Sequence, residues 1–294
     1  MRALGDIFEQ IWFAISTIIE AIVTSVLPVG VLKRKNVDGK VVLITGAANG
    51  LGRELAQRFA KYRAHLVLWD MDKEGNEATA QMCREIGSEC HTYTLDMSKR
   101  ELIYETAERV KSSVGDVDIL INNAGILNNG PFMDVSDERI RKVMDVNVMA
   151  NIWIVRSFLP SMLENDRGHL VSICSAAGLF GASGLVDYSV SKFAAVGFME
   201  ALRHELITLG KRGIKTTTIC PFFFRSHMTS ELSSFSLPQK YNVLGMEVVV
   251  ERTMEAILTE AEFLIIPRIL YLLYSVKGFL PTKLYEQIVM ETTI

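Results

Sequence analysis

The chain has 294 residues, a length that suits one α/β core with short additions better than two large domains. Hydrophobic residues make up 49% of it and charged residues 22%, so the composition argues against a disordered or fibrous chain. The formal net charge of -3 gives no basic field that could hold a nucleic-acid backbone, and nucleic-acid binding is therefore excluded.

The N-terminal segment, residues 1–35, is predicted to be a membrane anchor. Its apolar run, residues 11–32, is interrupted by Glu20 and Pro28 and is followed at once by the basic residues 33–35. Such a cluster stays on the cytosolic side of a membrane, which would leave the rest of the chain there as well. Early acidic residues and the lack of a small-residue cleavage site argue against a cleaved signal peptide.

The depth to which this anchor enters the membrane stays open. A helix from Ile11 to Leu27 would be about 26 Å long, against roughly 30 Å of hydrocarbon. Thr17, Glu20 and Thr24 share one helical face, so the segment could span the bilayer or lie in one leaflet. The alternative is an amphipathic helix buried in a dimer interface.

From Lys40 onward, strand and helix patterns alternate, as in a parallel sheet with helices on both faces. Right-handed crossovers then predict an α/β fold for residues 36–266: a Rossmann-type, doubly wound, seven-stranded parallel sheet whose ligand cleft lies at the carboxyl ends of the strands. The predicted strands are 41–45, 65–70, 90–94, 118–122, 168–173, 214–220 and 262–266. The predicted helices are 50–62, 74–87, 99–113, 137–163, 187–209 and 246–260.

The first strand leads through a glycine-rich turn into a helix, and this turn is the predicted phosphate-binding site. Gly46, Gly50 and Gly52 let the turn tighten and let the backbone approach a pyrophosphate. The free amides at the start of the helix supply donors and a favourable dipole. Asn49 and Leu51 complete the predicted turn.

Asp70 ends the second strand, where an acid can accept hydrogen bonds from both ribose hydroxyls of an adenosine. A 2′-phosphate would face this carboxylate, and Asn49 offers no compensating charge, so the sequence favours NAD over NADP. The alternatives for Asp70 are a solvated loop acid or a cap for the helix that begins near Lys73.

The four cysteines, Cys83, Cys90, Cys174 and Cys220, lack CxxC spacing and nearby histidine pairs. This pattern argues against a zinc site or a redox dithiol and predicts reduced core thiols. No metal is expected.

Ordered elements over residues 38–266 resemble the short-chain dehydrogenase/reductase family. They are the turn from Thr45 to Gly52, the segment Asn122-Asn123-Ala124-Gly125, Asn147, Ser175, and the pair Tyr188 and Lys192. The resemblance implies a cofactor site that adds Asn123, Ala124, Gly125, Tyr188, Lys192, Pro221 and Ser226 to the glycine turn. Asp96 and Met97, which follow the third strand, are predicted cofactor contacts as well.

Four of these residues are predicted to be catalytic. Alcohol oxidation needs a hydride acceptor on one side of the carbon and a base for the hydroxyl proton on the other. A tyrosine is a poor base at the ordinary pKa of a phenol, about 10, but an ammonium one helical turn on stabilises the phenolate, and Tyr188 and Lys192 have that spacing. By resemblance, Lys192 also holds the nicotinamide ribose, Ser175 donates to the substrate oxygen, and Asn147 binds a proton-relaying water. Taken singly, these patterns could be ordinary helix surface or turn.

One segment departs from the family's pattern. Phe222 follows Pro221 where many relatives have glycine, while Ser226 keeps the hydroxyl of a threonine that in relatives holds the nicotinamide amide. His227 has no evident partner and is predicted to belong to a loop or lid rather than to the catalytic group.

The segment after the sixth strand is also predicted to cover the substrate, with Phe222 and Phe224 as contacts beside Ser175 and Tyr188. Ordinary core packing is the alternative for part of it. Residues 267–294 predict an apolar C-terminal helix that is buried in protein or touches lipid. The apolar residues of the predicted cover are Phe222, Phe223, Phe224, Met228, Leu232, Phe235 and Leu237.

Within the family, the anchor and the LWDMD and PFFF segments are similar to membrane-bound retinol dehydrogenases and lipid-droplet 17-beta-hydroxysteroid dehydrogenases. This branch implies NAD-linked oxidation of a hydrophobic alcohol at the endoplasmic reticulum membrane or a lipid droplet. It also implies a homodimer formed through the helices near 137–163 and 187–209. An NADPH-dependent carbonyl reductase and a weakly active nucleotide-binding scaffold on a lipid surface are the alternatives.

Overall fold

The computed structural model describes residue 12, residues 31–230 and residues 243–293. Within these residues, seven strands form one parallel sheet in the order β3-β2-β1-β4-β5-β6-β7. The predicted doubly wound sheet is therefore confirmed. The strands are β1 (Val41–Thr45), β2 (His65–Asp70), β3 (Cys90–Thr94), β4 (Ile119–Asn122), β5 (Gly168–Ile173), β6 (Ile214–Pro221) and β7 (Phe263–Ile266).

Helices connect the strands. At most of the helix ends, the observed bound differs from the predicted one by one or two residues. They are α1 (Gly50–Lys61), α2 (Lys73–Glu85), α3 (Arg100–Ser113), α4 (Asp137–Met144), α5 (Ala150–Asn165), α6 (Val186–Thr208), the one-turn α7 (His227–Ser230), α8 (Met246–Leu258), α9 (Leu270–Val276) and α10 (Thr282–Thr293).

Each face of the sheet is buried under a separate apolar core. Along β1, Val42 and Ile44 belong to the core under α1 and α8, whereas Leu43 belongs to the core under α3, α5 and α6. Successive side chains of a strand point to opposite faces, so a strand covered on both sides needs an unbroken apolar run. The run VVLIT in β1 meets this need.

The predicted helix 137–163 is interrupted in the structure. Between α4 and α5 lies a π-helical turn, Asp145–Met149, that contains Asn147. Such turns often occur at functional sites, because the widened turn redirects a side chain. The combined helix Asp137–Asn165 is long and apolar enough to cross a membrane, but its most apolar window is 56% buried. It packs against α3 and the sheet as a core helix.

The chain ends differ from the compact middle. Of the predicted anchor, residues 1–11 and 13–30 lie outside the described residues, and Trp12 is helical and exposed. The predicted C-terminal helix consists of two helices, α9 and α10. Gly278 and Pro281 lie between them, and both residue types disfavour a continuous helix.

Residues next to the predicted anchor pack against the Rossmann domain. Arg34 donates from Nε to the buried Glu255 at 2.7 Å, and the backbone amide of Lys35 donates to Leu258 O at 2.7 Å. Val37 is fully buried. Arg34 and Lys35 thus form part of the body at the amino edge of the sheet, which is the edge where its strands begin.

A closed chain of hydrogen bonds lies at this amino edge. Lys35 Nζ lies 2.5 Å from His169 Nδ1, and His169 Nε2 lies 2.8 Å from Thr217 Oγ1, which donates to Ala261 O at 2.6 Å. Burial lowers the pKa of Lys35 to about 8, so this amine is charged at neutral pH. An ammonium only donates, so His169 accepts at Nδ1 and donates from Nε2 as a neutral imidazole. Burial and the nearby charge of Lys35 hold the pKa of His169 well below its usual value.

The four cysteines are free and buried, as predicted. Cys174, directly after β5, and Cys220, in the neighbouring β6, lie side by side, and Cys174 N donates to Ile219 O at 2.7 Å. Among the described residues, no group of His, Cys, Asp and Glu could hold a metal ion.

Candidate active site

The glycine turn lies at the carboxyl edge of the sheet, where the strands end. Gly46 has φ +66°, and a Cβ added there would lie 2.8 Å from Ala124 Cα. A Cβ added at Gly52 would collide with the backbone oxygen of Gly46. Neither position tolerates a side chain: the positive φ and the close approach both require glycine at Gly46, and the close approach alone requires it at Gly52.

The segment after β4 holds this turn in place. Thr45 Oγ1 accepts hydrogen bonds from the amides of Asn123 and Ala124, both at 3.0 Å. In return, the Asn123 side chain donates to Thr45 O at 2.9 Å and to Gly46 O at 3.1 Å. The two predicted cofactor segments therefore form one rigid unit.

Asp70 is buried beside the turn. Its Oδ2 accepts from Ala48 N and its Oδ1 from Asp72 N, both at 2.9 Å. The helix cap is Asp72, which accepts from Gly75 N at 3.0 Å, so the alternative that Asp70 caps α2 is wrong. A carboxylate oxygen has more than one acceptor position, so Asp70 can still accept hydrogen bonds from a ligand.

The predicted catalytic residues converge at the end of β5. Lys192, buried on α6, donates from Nζ to Ile173 O at 3.0 Å, and its Nζ lies 5.6 Å from the centroid of the Tyr188 ring. Ser175 follows β5, and its Oγ accepts from Ala177 N at 3.1 Å. The serine hydroxyl hydrogen is thereby left available to a ligand.

Asn147 lies behind these residues and links three segments. Its Oδ1 accepts from Ile126 N at 2.8 Å, and its Nδ2 donates to Ile126 O at 2.8 Å and to Ser191 Oγ at 3.0 Å. Both amide hydrogens are used, so a water on Asn147 would have to donate to its oxygen atoms. A Cβ added at Gly125 would lie 3.3 Å from Asn147 Oδ1 and 3.5 Å from Lys192 Nζ, so the backbone at Gly125 passes close to both side chains.

One cavity of about 530 Å³ joins the glycine turn to Tyr188. Its volume is within the range of small-molecule sites. Gly52 and Asn147 do not line it. Gly52 packs against the backbone of Gly46, and the side chain of Asn147 is hydrogen-bonded to Ile126, both behind the cavity wall. The predicted residues that line it are Gly46, Asn49, Gly50, Leu51, Asp70, Asp96, Met97, Asn123, Ala124, Gly125, Ser175, Tyr188, Lys192, Pro221, Phe222, Phe224 and Ser226.

Two groups of lining residues were missed by sequence reasoning. Lys142 on α4 donates to Asp96 at 2.8 Å and to Ser98 Oγ at 2.7 Å. Burial acts to raise the pKa of the Asp96 carboxyl, but hydrogen bonds from Lys142 and Ser98 outweigh it and hold the pKa below its usual value. Leu270 and Leu273 of α9 also line the cavity. Nothing in their local sequence pattern indicated these contacts with the site.

The loop after β6 shapes the far end of the cavity. Phe222 and Phe223 pack edge to face at 5.0 Å between ring centroids. The Ser226 hydroxyl lies 3.2 Å from Thr229 Oγ1, which donates to Phe224 O at 2.7 Å. Ser226 therefore lines the cavity within a small network of hydroxyls. His227 begins α7, and the predicted cover residues Leu232, Phe235 and Leu237 lie outside the described residues.

These residues fit a nicotinamide dinucleotide. The glycine turn exposes the amides at the start of α1, and a Cβ added at Gly50 meets nothing within 4 Å. Open space at this turn is what a pyrophosphate requires. An acid ends β2 and a Tyr–Lys pair lies at the other end of the same cavity, so both halves of a dinucleotide have matching groups.

The comparisons with known proteins identify the class of enzyme. A family model described as short chain dehydrogenase matches residues 40–236. A solved short chain dehydrogenase/reductase from Burkholderia phymatum in complex with NAD has a TM-score of 0.75 and 27% identity, and the match covers 83% of this chain and 94% of that one. The chain belongs to the short-chain dehydrogenase/reductase family and is an oxidoreductase that acts on CH–OH groups.

Curated relatives are similar over almost the whole chain. Epidermal retinol dehydrogenase 2 from Homo sapiens is 47% identical over 284 residues, which are 96% of this chain and 91% of that protein. Estradiol 17-beta-dehydrogenase 11 from Mus musculus is 40% identical over 286 residues, which are 97% of this chain and 94% of that protein. Both belong to the branch that the sequence resembles.

Proposed function

We propose that this protein is an NAD-linked dehydrogenase that oxidises an apolar alcohol, such as a retinol or a hydroxysteroid, at a lipid surface. The observation that carries the proposal is the single cavity that joins the glycine turn, Ser175 and Tyr188 to a wall of apolar side chains. The relatives named for retinol and estradiol support the substrate class.

The choice of NAD rests on the charges at the adenosine end. Asp70 and Asp72 both line the cavity there, and their carboxylates would repel a 2′-phosphate. The positive charge of Lys142 is already paired with Asp96. The structural neighbours do not decide the matter, since one binds NAD and another NADP.

The residues suit a proton transfer at the substrate oxygen. The Ser175 hydroxyl donates a hydrogen bond to this oxygen, and Tyr188 Oη receives the alcohol proton. The buried ammonium of Lys192 stabilises the phenolate that accepts it. When bound, the nicotinamide supplies the hydride acceptor. Asn147 holds the segment after β4 against α6, and water bound to its oxygen atoms would carry the proton onward.

The far wall of the cavity suits an apolar substrate. Phe222, Phe224 and Met228 contribute from the loop after β6, and Leu270 and Leu273 from α9. These side chains offer no charge to a ligand, so they favour a hydrocarbon body over a polar metabolite. The alcohol group would then be the one polar end, held at Ser175 and Tyr188.

The same end of the molecule supports a lipid contact. Ile269 lines the cavity and is still 71% exposed, so it lies at the mouth, and Leu272 and Phe279 are 66% and 88% exposed. Large exposed apolar side chains in one region indicate a membrane or partner surface. We therefore assign residues 267–294, with the N-terminal anchor of residues 1–35, to the endoplasmic reticulum membrane or a lipid droplet.

A cytosolic catalytic domain and a homodimer complete the proposed organisation of the protein. Residues 36–266 form the catalytic domain on the cytosolic side, and two copies pair through α5 and α6. Exposed Val190 and Ile207 on α6 support a homodimer, because such side chains are the kind that oligomer interfaces cover.

The test is turnover by full-length protein in lipid nanodiscs, with retinol, hydroxysteroids and fatty alcohols against NAD and NADP. Tyr188→Phe should lower kcat by roughly three orders of magnitude with cofactor affinity retained. Tyr104→Phe, on α3 away from the cavity, is the control and should be unchanged. Retained turnover in Tyr188→Phe would refute the catalytic assignment, and a strong NADPH preference with carbonyl substrates would favour the reductase alternative.

A further inference from the structure

Lys277 is one of the residues that attach the C-terminal helices to the catalytic body. Lys277 follows α9, and its Nζ donates to the backbone oxygen of Leu179 at 2.6 Å. Leu179 belongs to the loop of residues 176–185, which comes directly after Ser175. The lysine therefore reaches from the C-terminal end of the chain to the loop beside the predicted catalytic serine.

The same ammonium lies among three aromatic rings. Its Nζ is 5.2 Å from the ring centroid of Phe193, 5.6 Å from that of Tyr285 and 5.8 Å from that of Phe180. A cation at such distances is attracted by the negative face of each ring. The rings come from α6, α10 and the 176–185 loop, so one charge holds together three segments that are far apart in sequence.

Holding this ammonium partly away from water has a cost. Lys277 is partly buried, and this burial lowers the pKa of its amine below the usual value. A freely solvated lysine would avoid that cost. The carbonyl of Leu179 and the three rings replace the water that the ammonium loses.

The position of Lys277 matters because its neighbours form the substrate wall. Phe180 lines the cavity and packs edge to face with Tyr274 of α9 at 6.2 Å. The start of α9 is tied to β7 by Tyr271, whose hydroxyl donates to Phe263 O at 2.9 Å and accepts from Ile265 N at 3.1 Å. Lys277 holds the other end of α9, so this helix is fixed at both ends.

We propose that Lys277 is a positioning residue that holds α9 and Phe180 together, and that this contact sets the width of the substrate end of the cavity. The effect on substrate rests on the proposed function. The attachment itself does not, because it is a contact of the ligand-free protein.

The experiment compares Lys277→Met, which keeps the length but removes the charge, with Lys277→Arg and with Lys283→Met on the exposed side of α10. Hydrogen–deuterium exchange of full-length protein in nanodiscs measures the attachment without any turnover. We expect exchange in residues 176–185 and 270–287 to become roughly tenfold faster in Lys277→Met. Lys277→Arg should restore most of the protection, and Lys283→Met should match the wild type.

Steady-state kinetics with short and long straight-chain alcohols measures the effect on the site. In Lys277→Met, KM for the long alcohols should rise roughly tenfold, while kcat for the short ones stays within about twofold. Unchanged exchange would overturn the attachment, and faster exchange with unchanged KM would overturn its role in the site. If the wild type oxidises no alcohol at all, the proposed function fails, and the exchange comparison still decides the attachment.

Discussion

The two edges of the sheet use buried polar side chains in opposite ways. At the amino edge, the chain from Lys35 through His169 and Thr217 ends on a backbone carbonyl, and each group in it has a protein partner. At the carboxyl edge, Ser175 keeps its hydroxyl hydrogen free, and the Tyr188 hydroxyl makes no hydrogen bond to a described residue. Satisfied buried groups stabilise a fold, whereas unused capacity facing a cavity is what a ligand needs.

The largest effect on stability is expected at the carboxyl edge, from a change that crowds the backbone rather than one that removes a polar group. Gly52→Ala should lower the free energy of unfolding by about 3 kcal/mol or more, because the new methyl group meets the backbone oxygen of Gly46. Gly50→Ala is the control: it has space but φ +53°, and should cost only about 1 kcal/mol. Chemical denaturation of the ligand-free protein would measure both, and equal losses would contradict the steric account.

The next effect separates the two edges directly. His169→Leu should cost about 2–3 kcal/mol, since it removes the acceptor for the Lys35 ammonium and the donor to the Thr217 hydroxyl oxygen. Ser175→Ala should cost under about 1 kcal/mol and yet lower turnover roughly a hundredfold. Denaturation and kinetics on both variants test this contrast. A stability loss in Ser175→Ala as large as that in His169→Leu would remove the distinction between the edges.

A pH titration should sharpen the same contrast. The folded-state pKa of His169 is lowered, so the unfolded chain takes up a proton first as the pH falls through about 6.5. Stability contributed by the neutral imidazole is therefore full above that pH and falls below it, by up to about 1.4 kcal/mol per pH unit. The free energy of unfolding of the wild type and of His169→Leu should be measured by denaturation from about pH 5 to about pH 7. It should change less steeply with pH in the variant. Equal slopes would assign the pH dependence to other groups.

A smaller change is expected at the cofactor end. Asp70→Ser should shift the ratio of NAD to NADP affinity by roughly tenfold toward NADP, because the carboxylate that repels a 2′-phosphate is gone. Asp116→Asn is the control, since Asp116 is exposed and does not line the cavity. Fluorescence titration of each nucleotide measures the ratio. An unchanged ratio in Asp70→Ser would mean that other groups select the cofactor.

The smallest effect is expected outside both edges. Arg203 and Glu262 form an exposed ion pair at 2.6 Å, of a kind that contributes little in water. Arg203→Ala should change the free energy of unfolding by about 0.5 kcal/mol or less, as measured by denaturation. A loss comparable to that in His169→Leu would show that close ion pairs, rather than closed buried networks, hold this fold.

Local patterns in the sequence were sufficient for the strands, the glycine turn and the Tyr188–Lys192 spacing. A strand buried on both faces is a short apolar run, and the turn needs glycine within a few residues, so each signal lies in one stretch of chain. The break at Asp145–Met149 was not visible in this way, because a single π turn of five residues is too short to leave a separate signal in the apolar pattern of a long helix.

Only the tertiary structure decided which distant groups meet. Lys142 pairs with Asp96 across 46 residues, and Lys277 meets Leu179 across 98. Such contacts depend on how the helices pack over the sheet, and periodicity says nothing about that packing. The sequence therefore determined the class of fold and the type of chemistry, while folding determined the shape of the substrate wall and the closed network at the amino edge.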